Sequence, residues 1–229
     1  MFAHRWMWPV TISEASQQSF EELYHCNSHL IFNGIAKNKT EISNNNVIDR
    51  LRKSKDTKVF IHAGRISKPK NQLVLCRVFK QLVANGKDVV LVIAGSPEEK
   101  AIYESIKSYC SDRIIYLGER NDIAELMSHA DAFCLPSLWE GLPVTLLEAL
   151  SVGCIPICSP VGGIVNVIES GKNGLLSKDS SESEYLKTVN TFLNMADDEQ
   201  TLMKESALKS FEKYDIKNCA YQYLKVYSE

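Results

Sequence analysis

The residue types able to do chemistry gather in two short stretches. In SLWEGLPVTLLEALSVGCIP (137–156), Glu140 and Glu148 stand with seven residues between them and flank Gly141-Leu142-Pro143. Proline suits a first helical turn because its missing N–H is not needed there. A helix starting at Pro143 presents the free N–H groups of Val144 and Thr145, and such an end binds anions, phosphate above all. Glu148 falls about one and a half turns further on. Its neighbours Val144, Leu146, Leu147, Ala149, Leu150 and Val152 make the helix apolar on nearly all sides, which predicts burial. A carboxylate in that setting is costly without hydrogen-bond donors. A ribose diol would supply two, and a backbone loop or a core arginine would serve equally; the spacing leaves both open. Glu140 alone says less, since a glutamate ahead of a helix is favoured by the dipole.

The second stretch is HAGRISKPKNQ (62–72), with Arg65 and Lys70 five residues apart. A guanidinium and an ammonium at one sheet edge can neutralise a diphosphate without a metal, the arginine binding it bidentately. The rival reading is a solvated loop. No acidic pair of the DxD type lies in these loops, and Asp197-Asp198 falls between C-terminal helical patterns. Two further turns, Gly118-Glu119-Arg120-Asn121-Asp122 and Ser159-Pro160-Val161-Gly162-Gly163, carry glycines that permit positive φ or close ligand approach. Ligand contact and simple turn formation both remain open for them.

The elements that must position these residues alternate. Strands are predicted at 58–63, 88–94, 113–117, 131–136 and 155–159, and helices at 71–85, 96–108, 122–128, 143–152, 183–196, 199–213 and 216–227. DVVLVIA (88–94) is continuously apolar, the mark of a strand covered on both faces. Such alternation predicts parallel βαβ units in a doubly wound, Rossmann-like α/β sheet. Ligands of these sheets bind beyond the carboxyl ends of the strands, where all four stretches fall. Residues before about 57 read differently: short strands at 9–13 and 29–32 around a helix at 14–24, then a polar linker at 37–46. The expected organisation is an N-terminal piece, 1–56, followed by an α/β domain, 57–229.

Composition sets outer limits. With 229 residues, 45% hydrophobic and 24% charged, the chain can bury a sizeable core. A net charge of −2 argues against broad nucleic-acid or anionic-membrane binding. The uncharged stretch Val152 to Ile168 is broken by two prolines and three glycines and cannot span a bilayer. MFAHRWMWPV (1–10) lacks a basic region followed by an apolar one, so no signal peptide is expected. Seven irregularly spaced cysteines read as reduced thiols, and five scattered histidines form no zinc pattern. A cytoplasmic protein without metal or cofactor is expected.

Together the motifs HAGRISKPKNQ, LVIAGSPEE, IIYLGERNDIAELMSHADAFCLPSLWEGLPVTLLEAL, GCIPICSPVGG and SGKNGLL, in that order over about Val59 to Leu176, resemble the retaining glycosyltransferases of family 4. That resemblance implies the two-domain GT-B architecture, with this chain as the C-terminal, donor-binding half. Residues 10–34 resemble the last strand–helix–strand of the N-terminal domain, and Asn33-Gly34-Ile35 its linker. By similarity, Arg65 and Lys70 hold the donor diphosphate and Glu148 binds the ribose hydroxyls. Glu140 lies against the donor sugar, whose hydroxyls meet the Gly141 and Leu142 backbone. Val144 and Thr145 match the helix end at the phosphate, Arg120 to Ile123 the frame of the nucleobase, and Gly64 counts among the donor-binding residues. The implied partners are a nucleotide-sugar donor and a saccharide or lipid-linked acceptor, with the nucleotide sugar a substrate and not a cofactor. The family's proton acceptor is the departing nucleoside diphosphate itself.

Two departures stand out. The family's glutamate after the paired glycines is Asn166 here, and most of the acceptor domain has no counterpart. The second departure leaves room for a sugar-nucleotide-binding module that is inactive without a separate acceptor domain. It also leaves room for peripheral membrane association through that domain, and for self-association through an apolar patch of Phe2, Trp6, Trp8 and Phe32. A sugar-nucleotide epimerase of the same architecture is disfavoured by the two glutamates together with Arg65 and Lys70.

Overall fold

The computed structural model describes residues 8–37 and 46–228. Val10–Thr11 (β1) pairs in parallel with His29–Leu30 (β2), and Glu14–Tyr24 (α1) connects them. Ser13 caps α1: its Oγ accepts from Ser16 N–H, and Ser16 Oγ accepts from Ser13 N–H. Most of the polar stretch read as a linker, 38–45, lies outside the described residues, as do Phe2 and Trp6. A helical turn, Val47–Arg50 (α2), follows where none was expected, with Asn46 as its side-chain cap.

Strands and helices then alternate as the apolar runs require. Lys58–Ala63 (β3) leads to Gln72–Ala84 (α3), Val89–Ala94 (β4), Lys100–Tyr109 (α4) and Ile114–Gly118 (β5). Next come Ile123–His129 (α5), Ala132–Leu135 (β6), Val144–Ser151 (α6), Ile155–Cys158 (β7), Ile164–Val167 (α7) and Leu175–Leu176 (β8). Glu182–Leu193 (α8), Asp197–Phe211 (α9) and Ile216–Tyr227 (α10) close the chain. The strands form one parallel sheet in the order β5-β4-β3-β6-β7-β8. Successive side chains alternate faces. Val59, Ile61, Val90, Val92 and Phe133 therefore pack into a core on one side, and Phe60, Leu91, Ile93, Cys134 and Ile157 into a core on the other.

The strand order runs outward in both directions from the β3–β6 pair, which makes the carboxyl ends of those two strands the topological switch point. In open α/β sheets ligands bind at that crevice. The loops that leave β3 and β6 there are 64–71 and 136–143, the stretches holding Arg65, Lys70 and Glu140.

Several expectations need correction. The helix after β4 starts at Lys100, not Ser96, because 95–99 is tied to the neighbouring loop: Ile66 N–H donates to Ser96 O at 2.8 Å and Glu99 N–H to Ile66 O at 2.9 Å. Strand β8 and helix α7 were not foreseen; β8 is only two residues long and owes its conformation to pairing with β7. Phe32 is no part of an exposed patch, since it packs edge-on against Tyr214 with ring centroids 5.7 Å apart, beneath the Lys213 ammonium. Trp8 remains half exposed. All seven cysteines are free thiols, and burial pushes those of Cys76 and Cys134 up to about 12.

Candidate active site

The two switch-point loops are bonded to each other. Leu138 N–H donates to Pro69 O at 2.8 Å, and Asn71 Nδ2 donates to Pro136 O at 3.1 Å. Between them Lys70 Nζ meets Glu140 Oε1 at 2.6 Å, the same oxygen that accepts the Ser137 hydroxyl at 2.7 Å. Neither side chain of this ion pair is free in water: 18% of Lys70 and 9% of Glu140 is exposed. The cation and the acid thus share one rim of the crevice, although 70 residues separate them in the chain.

A cleft of about 540 Å³ opens beside the pair. Arg65, Ser67, Pro69 and Lys70 line it from the first loop, Glu98 and Glu99 from the loop after β4, and Trp139, Glu140 and Gly141 from the second switch-point loop. Arg65 is largely exposed and its guanidinium is bonded to Glu98 at 2.6 Å. Glu99 accepts the Lys68 N–H at 2.7 Å and so holds the short turn ahead of Lys70. Both cations are therefore neutralised by acids in the ligand-free protein, at one edge weakly and at the other in near burial.

Glycines bring these loops into contact. At Gly95 φ is +151°, and a Cβ there would stand 1.9 Å from the Gly64 carbonyl oxygen. The loop around Gly141 is clasped from the other side by Gly163, whose N–H donates to Gly141 O at 2.7 Å. The N-terminal segment also touches this loop. Asn33 Nδ2 donates to Leu142 O at 3.2 Å, and Glu14 accepts from Asn166 Nδ2 at 2.7 Å. An acid from α1 thus sits against the position where the family pattern carries its own glutamate.

Helix α6 begins directly after the Glu140 loop, with Pro143 as its N-cap and no side chain capping it. Its first turn is open: Val144 is 48% exposed and Thr145 half-buried. Glu148 is also half-buried rather than enclosed, because the face it shares with the first turn looks out of the core. Among the described residues no hydrogen-bond donor or cation is bonded to its carboxylate. Desolvation holds its carboxyl above the ordinary glutamate range. Replacing Glu148 by glutamine is expected to leave the melting temperature unchanged or higher while weakening nucleoside-diphosphate binding by about 1–3 kcal/mol. Calorimetric titration with UDP beside thermal melting checks both halves; a destabilised variant with intact affinity contradicts the role.

Arg120 and Ile123 stand apart from this cleft, at the end of β5, two strands from β3. The Arg120 guanidinium is held by Asp122 through two bonds of 2.8 and 2.5 Å, and Ile123 opens α5 and packs on the core. Of the sequence candidates, then, Gly64, Arg65, Lys70, Glu140, Gly141 and Leu142 converge around the switch point, with Val144, Thr145 and Glu148 on the adjoining helix. Sequence reasoning missed Glu98, Glu99, Ser137 and Trp139. Their signal was position: each follows a strand whose loop reaches the same edge. Among the described residues no three His, Cys, Asp or Glu side chains group as a metal site.

Beneath the first loop His62 is fully buried, and burial lowers its pKa to about 4. The unfolded chain takes up this proton as pH falls through about 6.5, whereas the folded chain resists until about 4. Stability is therefore expected to fall across that window, by about 3 kcal/mol at 1.36 kcal/mol per unit. Denaturant midpoints at pH 7, 5 and 4 check it, and His62→Phe should lose less stability over the same interval.

The model of the family described as "Glycosyl transferases group 1" matches residues 43–209. Among curated proteins, the N,N'-diacetylbacillosaminyl-diphospho-undecaprenol alpha-1,3-N-acetylgalactosaminyltransferase of Campylobacter jejuni is 32% identical over 59% of this chain and 36% of its own. The UDP-Gal:alpha-D-GlcNAc-diphosphoundecaprenol alpha-1,3-galactosyltransferase of Escherichia coli is 33% identical over 59% of this chain and 35% of its own. The matched region thus spans only about a third of these relatives. Among solved structures, Anabaena HepE in complex with UDP superposes with a TM-score of 0.84 at 23% identity, over 96% of this chain and 63% of that one. A mutant form of S. aureus TarM, complexed with UDP, fondaparinux and alpha-GlcNAc-glycerol, gives 0.81 at 17% identity, over 96% and 43%.

Proposed function

The chain belongs to the family of group 1 glycosyl transferases, and on that premise we propose that it is the donor-binding half of a retaining, family 4 glycosyltransferase. The observation that carries the reading is the Lys70–Glu140 pair at the switch point, with Arg65 in the same cleft. In this scheme Arg65 and Lys70 hold the diphosphate, and the open first turn of α6 adds the N–H groups of Val144 and Thr145. Glu148 accepts the ribose hydroxyls, which supply the donors its carboxylate lacks. Glu140 and the Gly141–Leu142 backbone face the sugar, while the loop from Arg120 to Ile123 frames the base.

The reaction breaks the bond between the sugar's anomeric carbon and the diphosphate oxygen. An acceptor hydroxyl oxygen bonds to that carbon on the same face, and its proton passes to the departing phosphate. The protein's part is electrostatic: cations stabilise charge growing on the leaving group, and Glu140 stabilises positive charge growing on the sugar. UDP sugars are the first donors to test, because HepE is complexed with UDP and the E. coli relative is named for UDP-Gal. The diphospho-undecaprenol in both relatives' names supports a lipid-linked acceptor. A second reading, a binding module that needs a separate acceptor half, is favoured by the short span of the match.

Titration calorimetry with UDP, GDP, ADP and their sugar conjugates tests the proposal. One diphosphate is expected to bind well above its nucleoside, and to bind equally in EDTA because two cations stand where a metal would. A strict metal requirement contradicts the basic-pair role. Donor hydrolysis by this chain alone counts against the mere binding module.

A further inference from the structure

The loop bearing Arg65 and Lys70 rests on a buried, uncharged pair of side chains that the proposed chemistry does not use. His62, on β3, and Gln72, at the start of α3, are both fully buried. His62 Nδ1 lies 2.8 Å from Cys134 O on the neighbouring strand β6. A carbonyl oxygen can only accept, so Nδ1 carries the proton and Nε2 is left as an acceptor. That in turn orients the glutamine: its Nε2 lies 3.2 Å from His62 Nε2 and donates to it, and also donates to Arg65 O at 2.7 Å. Gln72 Oε1 accepts the Ser67 N–H at 3.4 Å. One amide thereby grips the loop on both sides of Ile66, and the imidazole decides which way the amide faces.

We propose that His62 and Gln72 are positioning residues for diphosphate binding, the imidazole locking the Gln72 amide and the amide fixing the Arg65–Ser67 backbone, from which Arg65 projects and which leads into the turn that carries Lys70. The inference rests on the donor reading above. Arg65 needs such a foundation because its side chain is largely exposed and its partner Glu98 sits on a surface loop. With the backbone fixed, the guanidinium searches fewer arrangements before it meets a phosphate. Flipping the amide would set Gln72 Oε1 against both His62 Nε2 and Arg65 O, three acceptors with no proton among them, so a single arrangement is favoured.

The test compares UDP, UMP and uridine binding to the wild-type chain, Gln72→Leu and His62→Phe, with a thermal melt of each. Gln72→Leu is expected to lose roughly tenfold in UDP affinity, less for UMP, and nothing for uridine, a graded loss that general loosening of the fold would not produce. His62→Phe should lose affinity in the same order of ligands and by a smaller factor. Because either variant could fail to fold, nitrogen NMR of the wild-type imidazole provides a second reading: Nδ1 is expected protonated in both the free and the UDP-bound chain. Equal losses for all three ligands, unchanged UDP affinity in a folded Gln72→Leu, or protonation at Nε2 would overturn the positioning role. If the wild-type chain binds UDP no better than uridine, the donor reading itself fails and takes the role with it, whatever the NMR shows.

Discussion

Gly162→Ala is expected to destabilise the protein by about 2–5 kcal/mol and to abolish donor binding at ordinary concentrations, combining left-handed strain with overpacking. The backbone at Gly162 has φ +54°, and a Cβ there would stand 1.8 Å from the carbonyl oxygen of Glu140 and 3.3 Å from that of Gly141. Those are backbone atoms, so no side chain can swing aside. Relief requires moving either the turn after β7 or the loop that carries Glu140, and Gly163 is bonded to that same loop. Gly86 provides the control. Its φ is +76°, yet nothing lies within 4 Å of its would-be Cβ. Gly86→Ala should therefore cost only the conformational strain, about 1–2 kcal/mol, and leave UDP affinity alone. Denaturant melts and UDP titrations of both variants separate the two costs. Equal losses at the two positions would mean that the close approach of Gly162 to the Glu140 loop has no consequence.

The same contact marks the boundary of what could be read from the sequence. Paired glycines after a strand announce a turn, but not that the turn presses on the loop carrying Glu140. Strands such as Val89–Ala94 were legible because burial on both faces leaves a continuous apolar run, and α3 was legible because its apolar positions repeat with helical spacing. Leu175–Leu176 was not, since two residues carry no period and only pairing with Ile157 and Cys158 makes them a strand. Glu98 was hidden for a related reason. In SPEE it resembles the acidic first turn of a helix, whereas the tie between 95–99 and Ile66 delays that helix and leaves Glu98 facing Arg65. The residue types of the crevice were visible as separate candidates, one set of cations and one pair of acids. Which acid faces which cation depends on strand order, and a strand order of 5-4-3-6-7-8 is a product of the whole sheet.

Lys70→Met is expected to lower stability by about 3–5 kcal/mol at neutral pH, because it leaves the Glu140 carboxylate nearly buried without its cation. The Ser137 hydroxyl, at 2.7 Å, is the hydrogen bond from a described residue that remains to that oxygen. One neutral donor contributes far less than an ammonium at 2.6 Å in a region mostly closed to water. The damage belongs to the abandoned charge and not to the lost side chain. Lys70→Met/Glu140→Gln should then recover more than half of the lost stability, and the double-mutant cycle should report a coupling above about 1 kcal/mol. Function should separate from stability in the same set. The double variant, folded and stable, still lacks a cation for the diphosphate and is expected to bind UDP at least about tenfold more weakly than the wild type. Lys70→Arg keeps the charge but replaces a point donor by a planar fork, so it should retain most stability while binding the diphosphate with altered affinity. A Lys70→Met chain as stable as the wild type would show that water reaches Glu140 freely. The two switch-point loops would then meet without electrostatic need of each other, and the crevice would lose its claim to be built around a paired acid and base.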